Sequence, residues 1–433
     1  MPTSNLDSPT SDPGWENQRP KQIPISLSAD FEESFSIRMR SSTTHFVAAI
    51  GHLVVAYSLP DFTLLYSSRH EQEVATLAIH NETIVFATRD CIIHARDLVT
   101  SECIQISGIN PREFLVDPRG WFYVYVLKPE WADIGKDVSM KDVVWPEEPL
   151  ILIWTQFGSG FEIWRLPVPR KGTPNTVNIS QNRNPFLVRH IRCEKHSITC
   201  LAARGQTALT GSTDHTVRIW DLTSGRCKLV LIGHWGRALG SIDLPLAVSF
   251  VSFDQRRAFS GSWDGTIRIW DLHTGECLHI LSSNVIFKSV SPSFLVYFPV
   301  YGKLHVWNSV VGQDVFQMDE VPPNLFYHDE RKLLTVSTSG ITEVRDISNG
   351  RLFKRLGCAS GAMDLLCEGN LCIVLVRRDK KLFFEVWNLG VEDELDETRY
   401  HAPAKADLDT LVNEVEERHV GHPVVKTASF DRP

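Results

Sequence analysis

The sequence has no apolar run long enough to cross a membrane, where a spanning helix needs about 20 consecutive apolar residues. Its first residues, MPTSNLDSPTSDPGWENQRPK, contain no apolar signal region either. We therefore expect an intracellular protein of the cytoplasm or the nucleus, which neither spans a membrane nor is secreted.

Motifs for metal, cofactor or covalent chemistry are also missing. The nine cysteines include no Cys-x-x-Cys pair and no Cys/His spacing typical of a zinc site. The chain contains no His-Glu-x-x-His, no glycine-rich phosphate loop and no Gly-x-Ser-x-Gly. These absences predict no catalytic residue, no metal and no cofactor, and therefore a protein that is not an enzyme.

Positive charge is in deficit. The chain has 44 Lys and Arg against 52 Asp and Glu, which gives a formal net charge of −8. Direct binding to nucleic acid is driven by Lys and Arg that neutralise phosphates. We therefore expect no direct contact with nucleic acid, and partners that are proteins or peptides.

The chain does contain a long internal repeat. LTGSTDHTVRIWDLTSGRC (209–227) and FSGSWDGTIRIWDLHTGEC (259–277) correspond residue by residue, and Trp220 and Trp270 lie 50 residues apart. Each copy has short β-branched runs separated by turn signals, followed by a further run after a Ser-Gly or Thr-Gly turn. Four strands per repeated unit are typical of a propeller blade.

These units resemble the WD40 repeat family. The resemblance rests on Gly233-His234, on Ser-Gly-Ser followed by Asp264, and on Ile-Trp-Asp at 269–271, with matching residues one unit earlier. It implies an all-β fold, a closed WD40-type β-propeller of four-stranded antiparallel blades. The family also includes F-box/WD proteins, and a divergent relative of these without the F-box is an alternative.

Other units can be counted from the Trp of Ile-Trp-Asp near the end of the third strand. We place anchor residues 37 to 68 residues apart, at Tyr57, Arg96, Trp164, Trp220, Trp270, Trp307, Arg345 and Trp387. Eight anchors favour eight blades over seven. Unit 3 is the least certain, since WFYVYVL and LILIWTQ compete for the same strands. The longer spacings contain insertions, chiefly 129–149 and 167–185.

The pattern divides the chain into three parts. We expect a disordered N-terminal tail at 1–22, a propeller at 23–391 and an acidic C-terminal tail at 392–433 with a short helix near 406–419. Unit 8 has no fourth strand-like run of its own. The N-terminal run IPISLS (23–28) is therefore expected to close the ring as its outer strand, because an unpaired edge would otherwise remain.

The resemblance assigns a structural role to the polar residues of the two strong units. In WD40 repeats a His, a Ser or Thr, an Asp and the Trp form one hydrogen-bonded chain. In unit 5 this implies Ser260 or Ser262, and in unit 4 Thr210 or Ser212. We take as network residues His196, Ser212, Asp214, Trp220, His234, Ser262, Asp264 and Trp270. A Ser, a His and an Asp together could suggest a catalytic triad, but the Trp would cap the network.

Candidate binding residues lie on one rim of the ring. In this fold the turn between the second and third strands lines the same rim as the segment that enters the first strand. The expected partner-binding residues are Thr213, His215, Trp235, Arg237, Trp263, Arg377, Arg378, Lys380 and Lys381. The basic turn RRDKK (377–381) could hold an acidic or phosphorylated peptide. The alternatives are Trp side chains that pack between loops and a basic turn that is simply solvated.

The best-supported function is a protein-interaction scaffold that acts in a multiprotein complex. A substrate-recognition subunit of a ubiquitin ligase is the main alternative. Against it, no F-box-like helical segment is expected ahead of the ring, and WDLT and WDLH lack the Arg of the Trp-Asp-x-Arg signature. A phosphoinositide-binding propeller is a weaker alternative, since VRRD (376–379) lacks the Gly of the Phe-Arg-Arg-Gly pattern.

Overall fold

The structure, a computed structural model, consists of β-strands arranged in eight sheets. It describes residues 20–25, 36–107, 122–126, 150–155, 158–166, 169, 171–172, 175–179, 186–193, 197–234, 247–282, 285–299, 303–319, 321, 325–358, 361–378 and 381–389. These residues form no helix, and so no helix that could cross a membrane.

Each sheet contains one blade of four antiparallel strands, to which blade 2 adds a fifth, parallel strand, and the eight blades form a ring. After β1 (Lys21–Ile25), blades 1 and 2 are made of β2 (Ile37–Ser41), β3 (His45–Ile50), β4 (Leu53–Ser58), β5 (Leu64–Arg69), β6 (Val74–His80), β7 (Thr83–Thr88), β8 (Ile93–Asp97) and β9 (Cys103–Ser107). Blade 3 contains β10 (Phe122–Val126), β11 (Leu150–Thr155), β12 (Gly160–Arg165) and, after β13 (Thr176–Asn178), β14 (Leu187–Arg192). Blade 4 contains β15 (Ile198–Arg204), β16 (Thr207–Ser212), β17 (Val217–Asp221) and β18 (Arg226–Leu231). The strand β13 belongs to blade 2.

The second half of the ring is more regular. Blades 5 and 6 contain β19 (Val248–Phe253), β20 (Arg257–Ser262), β21 (Thr266–Asp271), β22 (Cys277–Ser282), β23 (Val285–Val290), β24 (Phe294–Pro299), β25 (Leu304–Asn308) and β26 (Gln313–Met318). Blades 7 and 8 contain β27 (Phe326–His328), β28 (Lys332–Val336), β29 (Ile341–Asp346), β30 (Leu352–Cys358), β31 (Ala362–Glu368), β32 (Leu371–Arg378) and β33 (Lys381–Asn388). The fold is an eight-bladed β-propeller, as the eight anchors predicted.

The predicted anchors all lie on third strands, as the repeat pattern required. Five of the side chains pack in apolar clusters that join one blade to the next, namely Tyr57, Trp164, Trp220, Trp270 and Trp307. One such cluster, for example, joins Phe161 of blade 3 to Ala208 and Trp220 of blade 4. Because each blade is buried against two neighbours, the middle strands are almost entirely apolar.

The first and last described strands pair with each other in blade 8. β1 pairs antiparallel with β33, from Lys21 opposite Val386 to Ile25 opposite Leu382. This is the pairing expected for the N-terminal run, but the strand begins at Lys21, inside the segment predicted to be a disordered tail. Its Ile25 packs against Leu382 and Phe384 in the cluster that joins blades 8 and 1.

Blade 3 resolves the competition between WFYVYVL and LILIWTQ, because both runs form strands. The first supplies β10 and the second supplies β11, which pair from Phe122 opposite Thr155 to Val126 opposite Ile151. The third strand, β12, carries the anchor Trp164, as predicted.

The 167–185 insertion contributes a strand that the sequence did not predict. β13 adds to the outer edge of blade 2 in parallel with β9, with Val177 opposite Ile106. Gln105 N donates to Asn175 O over 2.8 Å, and Ile179 N donates to Ser107 O over 3.0 Å. The insertion therefore covers the edge of the neighbouring blade.

Several expectations lie outside the described residues. They are the predicted tails other than residues 20–25, the helix near 406–419, the 129–149 insertion, and the side chains of His196, Trp235, Arg237 and Lys380.

Candidate functional site: the rim of blades 4, 5 and 8

A buried chain of hydrogen bonds runs through blade 5. Nδ1 of His234 lies 2.9 Å from Oδ2 of Asp264, and Nε2 of His234 lies 2.7 Å from the Ser260 hydroxyl. Nε1 of Trp270 donates to the same hydroxyl over 2.8 Å. The side chains of His234 and Asp264 are each only 1% exposed. The four predicted residue types therefore form the network, with Ser260 as its hydroxyl residue.

The choice of Ser262 as the network hydroxyl was wrong. Ser262 lies two residues further along β20, at the turn, where its hydroxyl donates to Ala247 O over 3.3 Å and accepts from Asp264 N over 3.2 Å. The two serines point to the same face of the strand, so alternation cannot distinguish them. Only Ser260 is within reach of the Trp270 indole.

The positions of the protons in this network follow from which atoms can only accept hydrogen bonds. The Asp264 carboxylate only accepts, so Nδ1 of His234 carries a proton, and in the neutral imidazole Nε2 then accepts from Ser260. Burial alone would raise the pKa of Asp264, but hydrogen bonds from His234 and Thr266 outweigh it and hold this pKa below its ordinary value. Asp264 is therefore ionised and fixed in place.

The Ser–His–Asp arrangement of blade 5 lacks access for a substrate. The Ser260 residue is fully buried, and its oxygen already accepts the Trp270 N–H. A nucleophilic serine needs an open face toward the substrate and a nearby oxyanion site. The geometry instead suits a structural clamp between the strands of the blade.

Blade 4 repeats the clamp with different partners. Nε1 of Trp220 donates to the Thr210 hydroxyl over 2.9 Å, so Thr210 rather than Ser212 takes the place of Ser260. Ser212 instead accepts Asp214 N over 3.3 Å at the turn. Burial would raise the pKa of Asp214, but hydrogen bonds from Arg218 and Thr216 outweigh it and lower this pKa to about 2.

Comparison with known proteins agrees with this geometry. The family model described as "WD domain, G-beta repeat" matches residues 187–221 and 225–271, which include blades 4 and 5. The chain contains WD40 repeats in blades 4 and 5, and its fold is an eight-bladed β-propeller.

Three relatives illustrate the similarity. "Cell division control protein 4" of Candida albicans is 32% identical over 108 residues, 24% of this chain and 16% of that protein. "CCR4-associated factor 4 homolog" of Candida glabrata is 28% identical over 191 residues, 42% of this chain and 24% of that protein. "F-box/WD repeat-containing protein 7" of Drosophila melanogaster is 40% identical over 43 residues, 10% of this chain and 3% of that protein. The matched part is thus less than a quarter of each relative.

Solved structures share the fold at low identity. The computationally designed Ika8 protein superposes with a TM-score of 0.57 at 16% identity, covering 81% of this chain and 96% of that chain. BamB from Moraxella catarrhalis superposes with a TM-score of 0.55 at 13% identity, covering 86% of this chain and 99% of that chain.

Trp263 is a large apolar side chain on the rim of the propeller. It lies in the turn between β20 and β21 and is 64% exposed. The backbone N–H of Trp263 donates to Ala247 O over 3.2 Å. The next residue is Asp264, which the clamp holds in place. A large exposed indole therefore stands on a rigid turn.

The equivalent turn of blade 4 carries Thr213 and His215, both half-buried. His215 has a left-handed backbone with φ of 68°, a conformation that few residues other than Gly, Asn, Asp and His adopt readily. The hydroxyl of Thr213 accepts Ser197 N over 3.3 Å and so ties the turn to the start of the first strand.

The basic turn of blade 8 is only partly free for binding. Nη2 of Arg378 lies 2.8 Å from Oε1 of Glu385, whose side chain is 1% exposed. Gln22 Nε2 of β1 donates to the same carboxylate oxygen over 2.9 Å. Arg378 therefore neutralises a buried charge, a role the sequence did not indicate, while Arg377 and Lys381 remain at the turn.

Blades 1, 2 and 3 contain polar and cation–π contacts that the resemblance to WD40 repeats did not predict. In blade 3, Nε1 of Trp164 donates to Glu162 over 2.7 Å, and Nδ1 of His190 lies 2.8 Å from the same carboxylate. In blade 2, the Arg96 guanidinium lies 4.4 Å from the centre of the Tyr66 ring on blade 1. Among the described residues, no group of His, Cys, Asp and Glu is placed to hold a metal ion.

Proposed function

We propose that this WD40 propeller is a non-enzymatic protein-interaction scaffold that binds peptide or protein partners through the rim of the turns between second and third strands. The observation that carries the proposal is Trp263, an indole 64% exposed on that rim. Binding energy at protein interfaces is concentrated in a few residues, among which Trp is enriched. WD40 relatives such as the "CCR4-associated factor 4 homolog", which is named for an association, support the same role.

Rigidity of the turn favours this use. Gly265 N donates to Ser262 O over 3.1 Å, and Thr266 N donates to Asp264 Oδ1 over 2.8 Å. The backbone around Trp263 is therefore ordered before a partner arrives. Preorganised contact groups lose less conformational entropy on binding, so more of the contact energy becomes affinity.

An acidic or phosphorylated segment of the partner would suit the blade 8 part of the rim. Arg377 and Lys381 lie at the turn of the β32–β33 hairpin and supply two positive charges. Guanidinium groups bind carboxylate and phosphate in bidentate geometry. Arg378 contributes less to this proposal, because it is already paired with Glu385.

A ubiquitin-ligase substrate receptor is the second candidate. It is favoured by the 40% identity over 43 residues to an F-box/WD repeat-containing protein. In that case the same rim would bind the substrate of the ligase, and a further part of the assembly would recruit the ligase.

The decisive experiment is affinity purification and mass spectrometry of the wild type and Trp263→Ala. The variant should lose specific partners, since loss of a central Trp costs about 2 kcal/mol or more, about 30-fold in affinity. It should keep the wild-type unfolding temperature, because the side chain is mostly in solvent.

Val311→Ala is the matched control. Val311 is also an exposed apolar residue, at 63%, but lies in a turn between third and fourth strands, at the opposite end of the strands. This variant should keep all partners. An unchanged set of partners with Trp263→Ala would refute the rim assignment. Recovery of ubiquitin-ligase adaptors with the wild type would favour the second candidate.

A further inference from the structure

A cleft opens between the outer parts of blades 6 and 7. Its volume is about 460 Å³, within the range of roughly 300–1,000 Å³ typical of ligand sites. One wall comes from β26 and the residue after it, where Phe316 and Met318 alternate with Gln317 and Asp319. The opposite wall comes from blade 7, with Ile341, Glu343 and Arg345 on β29.

The cleft lies where other blades place a tryptophan. In blade 6 the anchor Trp307 is buried and packs edge-on against His279, on the outer strand of blade 5, with ring centroids 5.3 Å apart. The corresponding pair between blades 6 and 7 is Arg345 and Phe316. Here Arg345 takes the place of the tryptophan, and Arg345 and Phe316 both line the cleft.

The Arg345 side chain is held against its own blade. Its Nη2 donates to Oε2 of Glu343 over 2.7 Å, and its Nη1 donates to Gly350 O over 3.0 Å. These bonds use the edge of the guanidinium plane. Because the flat faces of a guanidinium form no hydrogen bonds, they can stack on an aromatic ring, and the Arg345 side chain is 25% exposed.

The backbone beside the cleft can also accept a partner. Within the described residues, β26 pairs only with β25, so its outer edge offers unpaired N–H and C=O groups. Ser337 and Ser339 add hydroxyls on the blade 7 side. An extended peptide could therefore form main-chain hydrogen bonds along this edge.

The molecule already contains an example of this arrangement. β13 adds to the outer strand of blade 2, and its Val177 packs in the groove against the cluster that includes Trp164 of blade 3. In that groove the extended segment belongs to the chain itself. At blades 6 and 7 no described segment occupies the equivalent edge.

We propose that the cleft between blades 6 and 7 binds an aromatic side chain, of the size of an indole, carried on an extended segment of a partner protein. The aromatic ring lies between the Phe316 ring and the face of the Arg345 guanidinium, in the place of the missing anchor Trp. This site is distinct from the Trp263 rim, and a partner can use it whether or not the rim binds.

The test uses N-acetyl-5-fluorotryptophanamide as the probe, followed by ¹⁹F NMR with the full chain. The wild type should broaden and shift the probe signal in a saturable manner. Arg345→Trp should abolish this binding, because the new indole fills the cleft. Arg345→Met keeps the length of the side chain but removes the cation, and should weaken binding about threefold.

Arg96→Trp is the matched control, since it makes the same substitution at the anchor of blade 2 and leaves the cleft unchanged. It should bind the probe as the wild type does. N-acetylleucinamide should not displace the probe, because it has no ring to stack on Arg345. If Arg345→Trp does not fold, Phe316→Ala replaces it and should weaken binding at least fivefold.

Three outcomes would overturn the proposal. They are no saturable binding by the wild type, unchanged binding by Arg345→Trp or by its Phe316→Ala replacement, and equal competition by the leucine compound.

Discussion

Blades 5 and 7 have the same strand order but are held together by different side chains. In blade 5, a buried His234–Ser260–Trp270 chain ends on Asp264, and the anchor indole fills the space against blade 4. In blade 7, the anchor is Arg345, and two arginines converge on one glutamate. Nη2 of Arg345 and Nη2 of Arg355 each lie 2.7 Å from a carboxylate oxygen of Glu343.

The difference shows that the blade architecture does not depend on the polar clamp. Burial would raise the pKa of Glu343, but hydrogen bonds from Arg355 and Arg345 outweigh it and lower this pKa. The ion pairs of blade 7 are more accessible to solvent than the clamp of blade 5, since Arg355 is 48% exposed. Exposed ion pairs contribute little to stability, so blade 7 depends mainly on apolar packing.

The anchors themselves should give the largest contrast. Trp270→Ala should lower the free energy of unfolding by about 3–5 kcal/mol, since it leaves a cavity and removes the donor to Ser260. Arg345→Ala should cost only about 1 kcal/mol, because Arg355 still pairs with Glu343. Urea denaturation followed by circular dichroism measures both values. Equal losses would show that the two anchor side chains contribute equally to the stability of the fold.

The response of the blade 5 clamp to acid should be the next largest effect. The pKa of Asp264 is lowered in the folded state, so its contribution to stability is present above the ordinary value of 3.8. This contribution is lost as the pH falls through the folded pKa. Asp264→Asn should cost about 2 kcal/mol at pH 7, because one carboxamide group cannot accept from both His234 and Thr266.

The pH dependence provides the control for this variant. Between pH 7 and pH 3 the free energy of unfolding should fall less in Asp264→Asn than in the wild type, as measured by urea denaturation at each pH. Parallel curves for the two proteins would mean that the clamp does not lower the pKa of Asp264.

The smallest contrast should come from two turn glycines. Gly275 and Gly350 both have left-handed backbones, with φ of 77° and 74°. A Cβ at Gly350 would lie 2.9 Å from the Phe316 ring, whereas one at Gly275 would lie 3.1 Å from a terminal methyl of Leu231. Replacement by Ala should cost about 1 kcal/mol at each site from backbone strain, and slightly more at Gly350.

Thermal unfolding of Gly275→Ala and Gly350→Ala measures this difference. A larger loss at Gly275 would contradict it, because a methyl group at the end of Leu231 can move more easily than the ring of Phe316.

Much of the fold was predictable because its signals are local. The anchors were found from short β-branched runs and their turns, even where Arg or Tyr replaces Trp, and all eight lie on third strands. β13 was missed for the opposite reason. Thr176–Asn178 is only three residues long, and it pairs with a strand about 70 residues earlier in the chain.

The sequence predicted which residue types form the candidate site, but not which side chains bond to one another. The sequence indicated an Asp, a His and a Trp in one network, yet Ser260 and Ser262 have the same alternation and could not be ranked. Likewise, the four basic residues of the turn RRDKK predicted a site for an acidic or phosphorylated peptide. The buried Glu385, which binds Arg378, lies on the adjacent strand and becomes its neighbour only through the β32–β33 pairing.

The sequence by itself determined the strand period, the repeat and the number of blades, because these depend on contacts within about 50 residues. Tertiary structure alone decided the closure register of β1, the clamp hydroxyl and the cleft beside Arg345. The clamp hydroxyl depends on which of two serines the β20–β21 pairing places within reach of Trp270. The closure register and the cleft depend on atoms from different blades or distant segments, whose distances are fixed only when the ring closes. For the same reason, the exposure of Trp263 is a property of the assembled ring.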